Sequence, residues 1–131
     1  MYQYNDYAHC MQSAAHRRPR RDRHDPEPLA RFFSGLADPT RVQILTFLSD
    51  GPKSAGEIVR HVGRHQASVS SHLTCLRFCG FVEARRDGRS VIYELIDPRV
   101  RQLVRQAERV LEDNAERIMA CRVIAPHEPA P

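Results

Sequence analysis

Period and punctuation along the chain predict a mainly α-helical fold carrying one β-hairpin. Apolar residues recur at helical spacing in four segments before Gly80 and in one after Asp97. Between them the pattern shortens to two runs rich in β-branched and aromatic residues. Those runs flank Asp87-Gly88-Arg89, a hairpin signal.

Each element has its own warrant. Leu29, Phe32, Phe33 and Leu36 line one face of a first helix, which Gly35 or the following Ala-Asp-Pro ends. Asp38 can cap a second helix with Pro39 at its first position; Val42, Ile44, Leu45 and Leu48 form its apolar face, and Asp50-Gly51-Pro52 stops it. Ser54 with Glu57 three residues on is a capping-box pattern opening a short helix through Val62. After Gly63 a further helix runs from Gln66 to Cys79 with Val69, Leu73 and Leu76 inward, and Gly80 stands where a left-handed cap belongs. The two strands are Phe81–Arg86 and Ser90–Leu95. A long last helix opens at Asp97-Pro98, with Val100, Leu103, Val104, Ala107, Val110, Leu111 and Ile118 along one stripe. Helix, helix, helix-turn-helix, hairpin, helix is the order of a winged helix-turn-helix. The last stripe is wider than a lone domain of this size needs, and Phe32 and Phe33 can join it, so a homodimer is expected.

One hundred and thirty-one residues suit a single domain with tails. Residues 1–28, with HRRPRRDRHDPEP, are dense in Arg, Asp and Pro and are expected to form a flexible arm. Residues 29–121 form the expected DNA-binding and dimerisation unit, and 122–131 a Pro-rich tail. With 41% hydrophobic and 27% charged residues, composition is that of an ordinary globular protein. No apolar run approaches the roughly 18 residues of a membrane span, and the first ten residues lack a secretory layout, so a cytoplasmic location is expected.

Charge points to nucleic acid. The net charge is only +4, yet 19 of the 20 cations are arginine, whose fork suits phosphate and guanine. From Arg60 to Arg89 six arginines face two acids, a surplus of four that equals the charge of the whole chain. In a helix-turn-helix the second helix enters the major groove. Here it carries Gln66, Ser68, Ser70, Ser71 and His72, with Gln66 and Ser68 placed for base readout. Arg85, Arg86 and Arg89 flank the hairpin tip, where a wing touches DNA backbone.

These residues resemble the ArsR/SmtB family, bacterial metal-responsive winged-helix repressors. The resemblance rests on Leu36-Ala37-Asp38-Pro39-Thr40-Arg41-Val42-Gln43-Ile44-Leu45, Ala67-Ser68-Val69-Ser70-Ser71-His72-Leu73, Leu76-Arg77 to Gly80-Phe81-Val82, and Gly88-Arg89 to Tyr93. It implies a homodimer that binds double-stranded operator DNA when metal-free and is released by metal.

Cys75 and Cys79 stand at i and i+4 of one helix, so their sulfurs share a face and can hold one ion. Thr74-Cys75-Leu76-Arg77-Phe78-Cys79-Gly80 resembles the Cys-Leu-Arg-x-Cys-Gly of actinobacterial cadmium/lead sensors. That resemblance implies a third thiolate from beyond the last helix of the other protomer, here Cys121. Other family sites lack their ligands. Ser54 and Gly56 occupy the positions of a Cys-Val-Cys pair; Asp97 is followed by Arg99 instead of a His, and Glu108–Glu112 contains no His. Three sulfurs favour soft ions: Cd(II), Pb(II), Hg(II) or trivalent arsenic and antimony. Cys10, near His9, His16 and His24, is a candidate fourth ligand.

Three other classes compete, one of them a constitutive architectural DNA binder, which would not need three well-placed thiols. A thiol redox or persulfide switch would give the same output, but an i,i+4 pair in a continuous helix is poorly aimed for a disulfide. An enzyme would need a nucleophile and base, and no such pair stands out.

Overall fold

A computed structural model describes residues 25–121. The described chain folds as α1 (Glu27–Leu36), α2 (Pro39–Leu48), β1 (Lys53–Ser54), α3 (Ala55–Val62), α4 (Gln66–Phe78), β2 (Val82–Asp87), β3 (Ser90–Leu95) and α5 (Pro98–Ala120). This is the winged helix-turn-helix that the periodicity predicts.

The boundaries have local causes. Asp38 is extended and its carboxylate accepts the backbone N–H of Arg41 at 3.0 Å, capping α2. Ser54 and Glu57 complete the capping box at the start of α3, each side chain accepting the other's backbone N–H. The backbone N–H of Ser54 is the main cause that holds the Glu57 carboxyl below its ordinary range. Helix α4 closes in a double-bonded cap, Phe81 N–H to Leu76 O at 2.9 Å and Gly80 N–H to Arg77 O at 3.1 Å. That cap needs a left-handed residue, and Gly80 supplies it at φ 77° without a Cβ clash. Asp87 pairs with Ser90, so the hairpin turns on Gly88 and Arg89 alone, with Gly88 at φ 60°.

Three details differ from the sequence expectation. Helix α1 begins at Glu27, so Glu27 and Pro28 belong to the helix rather than to the arm. The first hairpin strand is displaced by one residue, Val82–Asp87 instead of Phe81–Arg86. The sheet has a third strand, in the order β1-β3-β2, with Lys53 opposite Tyr93 and Ser54 opposite Ile92. Two residues carry no readable period; only the presence of β3 alongside makes them a strand.

The core gathers around α2. Ile44, Leu45 and Leu48 of α2 pack with Ile58 of α3, Val69, Leu73 and Leu76 of α4, Phe81 and Val82 at the start of the hairpin, and Val100 of α5. Phe32 of α1 packs against this core, its ring 5.0 Å from that of Phe81. Val42, expected on the inner face of α2, is instead 41% exposed. Along α5 only Val100 is buried, while Val110, Leu111, Ile118 and Met119 remain exposed on the single protomer. Leu29 and Phe33 of α1 are exposed as well. Among the described residues, no helix is long and apolar enough to cross a membrane.

Candidate nucleic-acid interface and thiol site

Helices α3 and α4 form the helix-turn-helix, and their outer edge presents a cleft. Gly56 and Arg60 of α3 stand there beside Gln66 and Ser70 of α4, with Tyr93 of β3 at the back. Gln66 and Ser70 are exposed, and Ser68 and Ser71 are half-buried. His72 does not join them. Its side chain is buried and its Nδ1 lies 3.6 Å from Oδ1 of Asp38, itself buried. The reason is angular: His72 is adjacent to Leu73 and three residues after Val69, so helical periodicity turns it toward α2. His72 is therefore an internal contact of α4, while Gln66 and Ser70 in its N-terminal half are exposed.

The wing arginines divide by strand alternation. Arg86 lies on the face of β2 that carries Val82 and Ala84, the face turned to the core, and it extends beyond the core toward the tip. Arg85 lies on the opposite face with Glu83 and Asp87, and its Nε is 3.8 Å from Oε1 of Glu94 across the ladder. Arg89 is in the turn itself and exposed. Arg85 thus already has a carboxylate partner, whereas Arg86 and Arg89 are not ion-paired among the described residues. Replacing Arg86 or Arg89 with Ala should lower affinity on all DNA sequences and reduce the salt dependence by about one counterion each. Arg85→Ala should reduce the salt dependence less, because its guanidinium is already turned to Glu94 and is less available to phosphate. Measurement of operator and random-sequence affinity at several salt concentrations checks this; a loss confined to the operator would contradict it.

Cys75 and Cys79 stand at the end of α4, and Cys121 at the end of α5. Cys75 is half-buried in the last turn of α4, and Cys79 is exposed at its cap, its N–H bonded to Cys75 O at 3.0 Å. The backbone of Cys79 is still right-handed helical at the cap, one turn after Cys75. Gly35 of α1 lies beside Cys79, where a Cβ would come to 3.9 Å from its sulfur. Nη1 of Arg41 donates to the Cys75 sulfur at 3.8 Å, a contact spanning 34 residues of sequence that no local pattern announces. Two thiols one helical turn apart fit a soft ion that takes further ligands from elsewhere.

Cys121 caps the far end of the 23-residue helix α5. At 1.5 Å per residue that helix is about 35 Å long, and its first turn is the part packed in the core. Among the described residues of one chain, no three His, Cys, Asp or Glu side chains come together as a metal site. Cys10 lies outside the described residues, as do His9, His16 and His24. The alternative position at the start of α5 is occupied by protein: Asp97 accepts hydrogen bonds from the backbone and guanidinium of Arg99. That side-chain pairing is the main cause holding the Asp97 carboxyl down at about 2.

Comparison with known proteins agrees with this architecture. Residues 38–84 match the family described as "Bacterial regulatory protein, arsR family". Over 96 residues the chain is 47% identical to a probable mercury resistance operon repressor of Streptomyces lividans, covering 73% of this chain and 77% of the relative. It is 49% identical over 69 residues to the HTH-type transcriptional regulator CmtR of Mycobacterium tuberculosis, covering 53% of this chain and 58% of that one. The fold is similar to the solution structure of Mb0332 from Mycobacterium bovis, described as a homodimeric winged helix-turn-helix domain of a possible ArsR-family regulator. That match has a TM-score of 0.64 and 26% identity, covering 87% of this chain and all of the other. These relatives are DNA-binding regulators and not enzymes. The chain belongs to the ArsR family of bacterial transcriptional regulators.

Proposed function

We propose that the protein is a homodimeric repressor that holds operator DNA when metal-free and releases it when a soft, thiophilic ion binds Cys75, Cys79 and Cys121. The observation that carries this reading is the position of the thiol pair. Cys75 and Cys79 occupy the C-terminal end of the helix whose N-terminal half borders the outer cleft. An ion taken there acts on the same rigid element that reads DNA.

Cys121 closes the end of α5, and no three ligating side chains gather among the described residues of one protomer, which supports a contribution across the dimer, from the end of the partner's α5. Uncovered Val110, Leu111, Ile118 and Met119, with Leu29 and Phe33, supply an apolar surface for that dimer. The folded unit over 27–121 would then carry both functions, flanked by the arm 1–26 and the tail 122–131, with Cys10 in the arm as an additional donor. Three thiolates suit the soft ions Cd(II), Pb(II) and Hg(II), with trivalent arsenic as a further candidate, and disfavour Mg(II). The name borne by the Streptomyces lividans relative adds weight to Hg(II).

Titration of the metal-free protein with Cd, Pb, Hg, Zn and arsenite tests the reading. Thiolate charge-transfer absorbance reports binding, operator affinity reports release, and sedimentation reports the dimer. A dimer that saturates with a soft ion and then loses operator affinity by about 5- to 150-fold is expected. Release by Zn alone, or a monomer at micromolar concentration with undiminished DNA affinity, would contradict it.

A further inference from the structure

Beyond the thiols themselves, the first turn of α2 grips the recognition helix at two points. Asp38 and Arg41 stand at its cap and third position; His72 and Cys75 stand three apart on α4. Oδ1 of Asp38 accepts the backbone N–H of Arg41 at 3.0 Å and lies 3.6 Å from His72 Nδ1. From the same turn, Arg41 donates through Nη1 to the Cys75 sulfur at 3.8 Å and through Nη2 to the Ser34 carbonyl of α1 at 3.4 Å. The Nε of Arg41 is buried and has no partner among the described residues.

One guanidinium thus bridges α1 and α4, with the α4 end resting on a sulfur. We propose that Arg41 is the positioning residue that converts a change of state at Cys75 into movement of the recognition helix. This rests on the reading of Cys75 as a ligand.

The physical argument concerns the charge on the acceptor. A neutral thiol is a weak acceptor, and a contact of 3.8 Å to it is soft. A sulfur whose proton has left to solvent as an ion takes its place is a thiolate acceptor, and hydrogen bonds to ionised acceptors are shorter and roughly twice as strong. The guanidinium is then drawn toward Cys75 while its other arm remains on Ser34, and its backbone remains fixed by the Asp38 cap. Tightening one arm of a bridge anchored on two helices changes the angle between them. Helix α4 is continuous from Gln66 to Phe78, so a tilt at Cys75 reaches Gln66 and Ser70 as a displacement of the opposite end.

Two substitutions separate the parts of this bridge. Arg41→Met removes charge and both donors. Arg41→Lys keeps the charge but cannot hold the Cys75 sulfur and the Ser34 carbonyl with one planar fork. Three quantities are measured: operator affinity of the metal-free protein, Cd(II) affinity of the DNA-free protein by charge-transfer absorbance, and the ratio of operator affinities without and with Cd(II). R41M should weaken Cd(II) binding by about tenfold or more, the range for one lost charge-assisted bond, and shrink the ratio to under about threefold. R41K should keep Cd(II) affinity within about threefold of wild type and still lose most of the ratio. A residue that merely supports the fold would lower both operator affinities together and leave their ratio intact. R41M or R41K with a wild-type ratio would overturn the proposal, and if R41M does not fold, R41K alone decides it. Cys75→Ser is measured alongside. If that variant still responds to Cd(II) as wild type does, the ligand reading fails; if it is silent while R41M and R41K respond normally, only the role of Arg41 fails.

Discussion

Cys75→Ser and Cys79→Ser should each bind the operator with wild-type affinity and fail to release it at ion concentrations that release the wild type. Serine is close in size to cysteine, and neither thiol belongs to the buried core, so the fold and the DNA-facing end of α4 should survive the change. The loss falls on the ion alone, because a hydroxyl at neutral pH is a poor ligand for a soft cation. With coupling of about 5- to 150-fold in ordinary cases, the expected change is disappearance of that whole factor. Linkage adds a second measurement: operator DNA must weaken ion binding to the wild type by the same factor. Cys121→Ser should also abolish release if its sulfur completes the site across the dimer, and Cys10→Ser should change little. Operator affinity with and without Cd(II), Pb(II) or Hg(II) for each variant is the measurement. A Cys75→Ser protein that still responds at wild-type ion concentrations would move the site elsewhere, with the arm around Cys10 next to be tested.

Leu76→Ala should be the most damaging single change to the fold. Leu76 is fully buried on the inner face of α4, within the cluster formed by α2, α3 and the start of the hairpin. Its carbonyl also accepts the Phe81 N–H that turns the chain from the recognition helix into the wing. Truncation of a buried leucine costs about 2–5 kcal/mol, from lost burial and from the cavity left behind. In a domain of this size about 1 kcal/mol corresponds to roughly 4–8 °C in melting temperature, so a fall of more than 10 °C is expected. DNA affinity should fall as well, since α4 and the wing are positioned by this one side chain. Thermal unfolding by circular dichroism checks it; a shift of less than about 3 °C would mean that the core around α4 is not packed as described.

Much of the fold was legible because its signals are local. The Ser54–Glu57 box, the Asp38 and Asp97 caps, Gly80 at the end of α4 and Gly88 in the hairpin each act within a few residues, and each stands in the structure where its pattern predicts. Strand β1 was not legible, because two residues have no period and their pairing with β3 is decided some forty positions later. His72 was assigned to the DNA face on its polarity. The helical angle relative to Val69 and Leu73 turns it inward instead, where Asp38 accommodates a polar ring. Arg85 was grouped with Arg86 and Arg89 on charge alone, yet strand alternation gives it a different face and Glu94 as a partner.

By itself, the sequence determined the element order, the helix-turn-helix, the wing and the pairing of Cys75 with Cys79 on one helical face. All of these follow from periods of 3.6 and 2 residues and from short-range backbone chemistry. Only the tertiary structure decided which polar groups meet across the fold: Asp38 with His72, Arg41 with Cys75 and Ser34, Arg85 with Glu94. It also decided that no three ligating side chains gather among the described residues of one protomer and that the stripe along α5 lies uncovered there. Such contacts depend on how α1, α2 and α4 cross. That crossing is set by the summed packing of Ile44, Leu45, Leu73 and Leu76 with their neighbours, and no spacing within one element encodes it.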